Sequence, residues 1–262
     1  MILAPLSRES RAIIISIHSI ISVNALYFTT LRELKENMRE RFLKERIINM
    51  SKKWEEIIIA APRTKVFNNE QLTFQGTEQR KENVDKIIKN LSESYISIRR
   101  GGTEDTTPKE NNAEINYDYK QPIPYVLIKR GSEIYTYERL SGGGEVRLHS
   151  KLSLGVGGHM NPEEGNFNDV LMINLHRELE EELEIISDTK ELEFIGLIND
   201  DLNEVGKVHL GILAILELSK DAQVSVREVE QLKGYWLTID ELKQEDTYNR
   251  LESWSQIAVD IL

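Results

Sequence analysis

The chain has 262 residues, 40% apolar and 29% charged, an ordinary balance for a globular protein long enough to bury one large core or two small ones. It contains no cysteine, which excludes disulfides, thiolate metal sites and cysteine nucleophiles and fits a reducing, cytoplasmic compartment. A net charge of −11 argues against wrapping of bare nucleic acid but leaves small phosphorylated substrates open, because a bound cation reverses the local sign.

The charge is unevenly spread. Residues 1–49 carry a net +3 and the remainder −14. Within the first segment, "AIIISIHSIISVNALYF" (Ala12 to Phe28) is short for a membrane span of about 20 apolar residues, and His18, Asn24 and serines interrupt it. No small-x-small cleavage site follows it. A mixed-charge helical pattern, "LRELKENMRERFLKERIINM", comes next, and Met50 then opens "MSKKWEEIIIAAPR" like a fresh start. Residues 1–49 are therefore read as an appendage and 50–262 as the working domain. A membrane anchor at Ala12 to Phe28 is the alternative.

From Trp54 the pattern is mixed α/β. "EEIIIAAP" (Glu55 to Pro62) predicts a buried strand, and "NVDKIIKNLSESYISI" (Asn83 to Ile98) has helical spacing with Val84, Ile87, Ile88 and Leu91 on one face. "RRGGTEDTTPKENNAE" (Arg99 to Glu114) is a polar loop. "PYVLIKR" and "EIYTYERL", joined by Gly131-Ser132, predict a hairpin. "SGGGE" leads into "SLGVGGH" (Ser153 to His159), a strand running into two glycines that let backbone approach a metal or phosphate. After an acidic helix, "ELEFIGLIND" and "KVHLGILAILEL" are strand-like, "WLTIDELKQ" turns from strand to helix, and "RLESWSQIAVDIL" is an amphipathic helix.

The acidic helix, "HRELEEELEI" (His176 to Ile185), carries the chemistry. At about 100° per residue, Leu171, Leu175, Leu179 and Leu183 form a core-facing stripe. Glu178, Glu181 and Glu182 share the neighbouring arc, while Glu180 points elsewhere and, like Glu184, is read as solvated. Like charges at i,i+4 cost roughly 0.2–0.5 kcal/mol per pair unless something neutralises them. Three converging carboxylates suit a hard cation, Mg²⁺ or Mn²⁺. Arg177, four residues before Glu181, can orient that carboxylate. His159 and His209 are read as packing or hydrogen-bonding residues rather than ligands. Tyr135 and Tyr137 are read as strand residues that could also stack a base. In "GNFND", Asn168 or Asp169 is the expected N-cap and Phe167 the staple residue.

These residues resemble the Nudix hydrolases, whose box is G-x5-E-x7-R-E-U-x-E-E-x-G-U with U aliphatic. Arg177 to Glu182 fills the R-E-U-x-E-E core, Ile185 the last U and Gly158 the opening glycine. Glu184 stands at the terminal glycine. Two acids compete for the first glutamate: Glu164 counted from Gly158, and Asp169 counted from Arg177. The wording "GVGGHMNPEEGNFND", with "PRTKVF…LTFQG" upstream, is similar to the MutT-family phosphoesterase branch.

The resemblance implies an α/β/α sandwich with a mixed sheet over residues 50–262. It also implies hydrolysis of a nucleoside diphosphate linked to another group, with water attacking phosphorus. Glu178, Glu181 and Glu182 would ligate metal, with the Gly158 carbonyl and Glu164 as additions, and Glu178, Glu182 and Arg177 would be the catalytic set. The general base is Glu178 or a downstream acid such as Glu204. The implied partner is a small nucleotide-derived phosphate, and a homodimer is the oligomeric state left open. A fold-related isopentenyl-diphosphate isomerase would use a catalytic cysteine and a zinc-ribbon NADH pyrophosphatase four cysteines, so both are excluded. A non-catalytic sensor on the same fold is the alternative, although such a protein would typically have lost metal ligands.

Overall fold

The computed structural model describes residues 53–140, 151–227 and 232–262. The apolar segment at 12–28, the mixed-charge segment expected to be helical after it and the "SGGGE" connection lie outside the described residues. Trp54–Leu262 is a compact unit. Among the described residues no helix is long and apolar enough to cross a membrane.

Strand β1 (Ile57–Pro62) leads through one helical turn to β2 (Gly76–Glu78) and helix α1 (Lys81–Ser94). Strand β3 (Ile96–Arg99) and a loop with two 3-10 turns, Lys109–Asn111 and Ala113–Ile115, precede the hairpin β4 (Tyr119–Arg130) and β5 (Glu133–Arg139). Two short strands, β6 (Leu152–Ser153) and β7 (Gly155–Val156), enter helix α2 (Phe167–Glu182). There follow β8 (Leu183–Ile186), β9 (Lys190–Asn199), a short helix Glu204–Val208, β10 (His209–Leu218), β11 (Gln223–Val226) and β12 (Leu232–Thr238). Helix α3 (Ser253–Val259) closes the chain.

Two elements depart from the expected pattern. The helix expected over Asn83 to Ile98 stops at Ser94, and "ISIR" becomes β3, antiparallel to β1 with Ile58 opposite Ile98. The acidic helix stops at Glu182, and "LEII" pairs with β11, Ile185 opposite Val224. Leu183 is buried as the first residue of β8, and the leucine stripe also pointed it inward, so the four-residue spacing could not reveal the end of the helix. In both places a waiting strand edge, rather than local propensity, set the boundary.

The main sheet runs β12-β5-β4-β10-β9-β2, with β4 and β10 parallel and the other neighbours in that order antiparallel. Alternation along the central strands sorts side chains to two faces. Val126, Ile128, Ala214 and Leu216 pack with Leu175 and Leu179 of α2. Tyr125, Leu127 and Leu213 pack with Ala258 and Val259 of α3. Toward the start of α2, Phe167, Val170 and Leu171 join Ile87 and Leu91 of α1 over Leu210 and Ile212. Helices thus cover both faces of a mixed sheet, the expected α/β/α sandwich. Each leucine-sized side chain buried there contributes about 1.5–3 kcal/mol, which pins the leucine face of α2 inward and turns its acids to the rim.

Candidate active site

Helix α2 starts from a capping box. Asn166 accepts from the backbone N–H of Asn168 at 2.9 Å and of Asp169 at 3.3 Å, while Asp169 accepts from the Asn166 N–H at 2.9 Å. The N-cap is therefore Asn166, not Asn168 or Asp169, and Phe167 is the first helical residue rather than a staple. Gly165, at φ +118°, makes the turn just before the cap, which places the helix start earlier than the sequence pattern suggested. Asp169 is thus committed to the helix's own first turn. Glu164 is exposed in the preceding loop and takes part in none of the contacts described below.

Three turns along, Arg177 gathers the acids. Its Nη2 lies 2.8 Å from Glu178 Oε1 and donates to the His159 carbonyl at 2.8 Å and to Asn174 Oδ1 at 3.1 Å. Its Nη1 reaches Glu181 Oε2 at 3.2 Å. One guanidinium therefore ties two box acids to the Gly-Gly-His loop. The two carboxylates sit in unlike surroundings: the Glu181 side chain is 59% exposed and that of Glu178 only 12%. Burial raises the Glu178 carboxyl above its ordinary pKa, Arg177 opposing and the Glu181 charge adding to the rise.

Gly157 is placed where only glycine fits, and a side chain on Gly158 would push the Glu178 carboxylate aside. A Cβ on Gly158 would lie 2.4 Å from Glu178 Oε1, and one on Gly157 would lie 2.0 Å from the Pro124 carbonyl. The structure thus brings Gly158, Arg177, Glu178 and Glu181 together. Glu182 is one turn beyond Glu178, half-buried at the end of the helix, where its charge helps burial to raise the Tyr137 hydroxyl pKa. Glu180 is exposed, as expected. A surface depression of about 640 Å³, lined in part by Arg177, Glu180 and Glu181, runs along the outer side of α2.

A second set of groups was not legible as a unit. Asn174 exchanges hydrogen bonds with the backbone of Asn161, whose side-chain amide donates to Glu56 Oε1 at 3.0 Å. Arg100 joins Glu56 at 2.9 Å and Glu114 at 3.0 Å. Glu114 lies 3.4 Å from His159 Nε2, which lies 3.2 Å from His209 Nε2, and His209 Nδ1 donates to the Val205 carbonyl at 2.6 Å. His159 and His209, read from the sequence as packing or hydrogen-bonding residues, thus meet each other and Glu114. Asn174, three residues before Arg177 on one helix, could have been found by its spacing; Glu56, Arg100 and Glu114 carry no such mark.

Burial lowers the His209 pKa to about 4, with the neighbouring His159 acting in the same direction. Burial opposes ionisation of Glu114, but His159, His209 and Arg100 together hold its carboxyl at about 2. Glu204, the other candidate base, pairs with Lys207 at 2.6 Å and accepts from the Tyr117 hydroxyl, contacts that lower its pKa.

No protein-family model matches the chain. The chain is 53% identical over 213 residues to Protein YmaB of Bacillus subtilis (strain 168), an alignment covering 80% of this chain and 98% of that one. It is also similar to the crystal structure of Tm1382, provisionally assigned as a Nudix hydrolase, with TM-score 0.61 and 28% identity over 79% of this chain and 97% of the other. With the Arg177 to Glu182 run seated on α2 against the Gly157-Gly158 loop, in a sandwich shared with that structure, the chain belongs to the Nudix hydrolase superfamily.

Proposed function

We propose that the protein is a divalent-cation-dependent hydrolase of a phosphoanhydride, acting on a nucleoside diphosphate linked to another group. One observation carries this reading: Arg177 holds Glu178, Glu181 and the His159 carbonyl at once, aligning box acids with the glycine loop. The donor set is carboxylate and carbonyl oxygen, and the Glu178 carboxylate occupies the space that a Cβ on Gly158 would fill, so the residues fit Mg²⁺ or Mn²⁺. Glu178, Glu181 and Glu182, with the Gly158 carbonyl, would hold the ion; Glu164 is the proposed addition from the loop. Mg²⁺ supplies positive charge that offsets the pyrophosphate and lowers the pKa of the attacking water.

The protein's own groups do the rest. Arg177 keeps Glu178 and Glu181 in place and fastens the loop. Glu178, which Arg177 holds beside the glycine loop, is the proposed acceptor of the water's proton, since Glu204 is engaged by Lys207 and the Tyr117 hydroxyl. The working domain is proposed to be residues 50–262, cytoplasmic, in the MutT-like phosphoesterase branch, with residues 1–49 as an appendage. The sensor reading is disfavoured because all three helix acids are present.

The test is a screen of the purified full chain with Mg²⁺ or Mn²⁺ against dinucleotides, nucleotide sugars and modified nucleotides. Released mononucleotide or phosphate, abolished by EDTA, is expected. Turnover in excess EDTA would overturn the cation requirement. Nucleotide binding by calorimetry, without turnover under either cation, would favour the sensor.

A further inference from the structure

We propose that Glu114, His159 and His209 form a metal site separate from the helix acids, built for a first-row transition cation of the Zn²⁺ type rather than for Mg²⁺. Each residue offers one ligand atom, and the three atoms lie within 4.8 Å of one another. The two separations at His159 Nε2 are 3.2 Å to His209 and 3.4 Å to Glu114. A tetrahedral ion with bonds of about 2.0–2.1 Å spaces its ligands by about 3.3–3.4 Å, so these edges already match. Two imidazoles with one carboxylate is a donor set that suits Zn²⁺, Fe²⁺ or Ni²⁺, whereas Mg²⁺ takes oxygen.

Counting protons makes the same point. The 2.6 Å contact with the Val205 carbonyl assigns the His209 proton to Nδ1, so the neutral ring presents a lone pair at Nε2. That lone pair and the Glu114 carboxylate both face His159 Nε2. A single hydrogen on that nitrogen can satisfy only one of them. A cation placed among the three atoms satisfies all.

The surroundings are those of an oriented ligand set. Arg100 donates to Glu114 Oε1 at 3.0 Å, and its charge is shared with Glu56, so two carboxylates face one guanidinium. Lys120, whose Nζ reaches the His209 carbonyl at 3.2 Å, is paired with Asp201 at 2.9 Å. Trp254 packs edge-on against the His209 ring. The His159 and Glu114 side chains keep 13% and 17% exposure, which leaves a path for the ion and a fourth position for an outside ligand. Because the His159 carbonyl also binds Arg177, occupancy would brace the loop that carries Gly158.

The test uses the full chain stripped with chelator and titrated with Co²⁺ and Zn²⁺, and it needs no activity readout. One equivalent of Co²⁺ should bind with the visible absorption of a four- or five-coordinate site, be displaced by Zn²⁺ and persist in excess Mg²⁺. His209→Gln and Glu114→Gln should each weaken Co²⁺ binding at least about 100-fold, while Glu178→Gln leaves the band in place. A check that avoids variants follows imidazole ¹⁵N resonances of the wild-type protein: Zn²⁺ should shift two of the five histidines. No stoichiometric Co²⁺ uptake, a band unchanged in His209→Gln, or imidazole signals that do not move would overturn the proposal.

Discussion

The acid end of α2 and the imidazole pocket beside it lie on either side of one residue, His159, yet they are assembled differently. Arg177, Glu178, Glu181 and Glu182 come from six consecutive positions on one helix, so the helical repeat alone puts them on one arc. Glu114, His159 and His209 come from a 3-10 turn, a glycine loop and the first residue of a strand. Their meeting depends on pairing register. His209 lies opposite Gln121 in the parallel β4–β10 ladder, and Gln121 donates to the Ala113 carbonyl at 3.0 Å, which draws Glu114 alongside. The arc of acids is thus written in local spacing, and the meeting of the two imidazoles with Glu114 in long-range contacts.

The largest expected effect breaks the comparison if it fails. Glu178→Gln and Glu182→Gln should each lower kcat at least about 10²-fold in Mg²⁺ with little change in melting temperature, since loss of mutual repulsion offsets the lost contacts. If Glu178→Gln stayed active while His209→Gln did not, the chemistry would belong to the pocket instead.

Next comes a change in the scaffold, which should leave both regions intact. Buried Glu78 anchors the start of α1 through Arg80, its backbone amide and Asn83. The Arg80 side chain is the largest cause that, against burial, brings the Glu78 pKa down from 4.5 to about 2. The folded-state value is depressed, so this stabilisation is complete above about pH 4.5 and is lost as pH falls through about 2. Glu78→Gln should cost about 1.5–3 kcal/mol at neutral pH, as loss of hydrogen bonds to a charged group does. Its unfolding free energy should also fall less steeply than that of the wild type between those pH values. Denaturant titrations at stepped pH read both.

Within the acid region, the two candidates for the first box glutamate should separate. Asp169→Ala removes half of the capping box and should cost about 1 kcal/mol while activity remains. Glu164→Ala should leave the melting temperature unchanged and shift the Mg²⁺ titration of activity. A stable but inactive Asp169→Ala protein would reverse the assignment. The smallest effect is expected at exposed Glu180: Glu180→Gln should stay within about 0.5 kcal/mol and near wild-type rate. Loss of activity there as large as at Glu182 would mean that the acid arc faces differently.

Much of the sandwich was legible because its periodicities are local. The β4–β5 hairpin showed in two apolar runs around Gly131-Ser132, and the inward face of α2 showed in leucines four residues apart. The box acids were legible for the same reason, since a helix sets their angles whatever it packs against. Where α1 and α2 stop was not legible, because β1 and β11 supply strand partners that no local pattern encodes. Nor was the start of α2 at Asn166, which depends on the left-handed turn at Gly165. The sequence by itself determined the helix arc, because the helical repeat fixes the angles between its residues. Only the tertiary structure decided that Glu114, His159 and His209 converge, because strand register carries residues far apart in the chain to within hydrogen-bond distance.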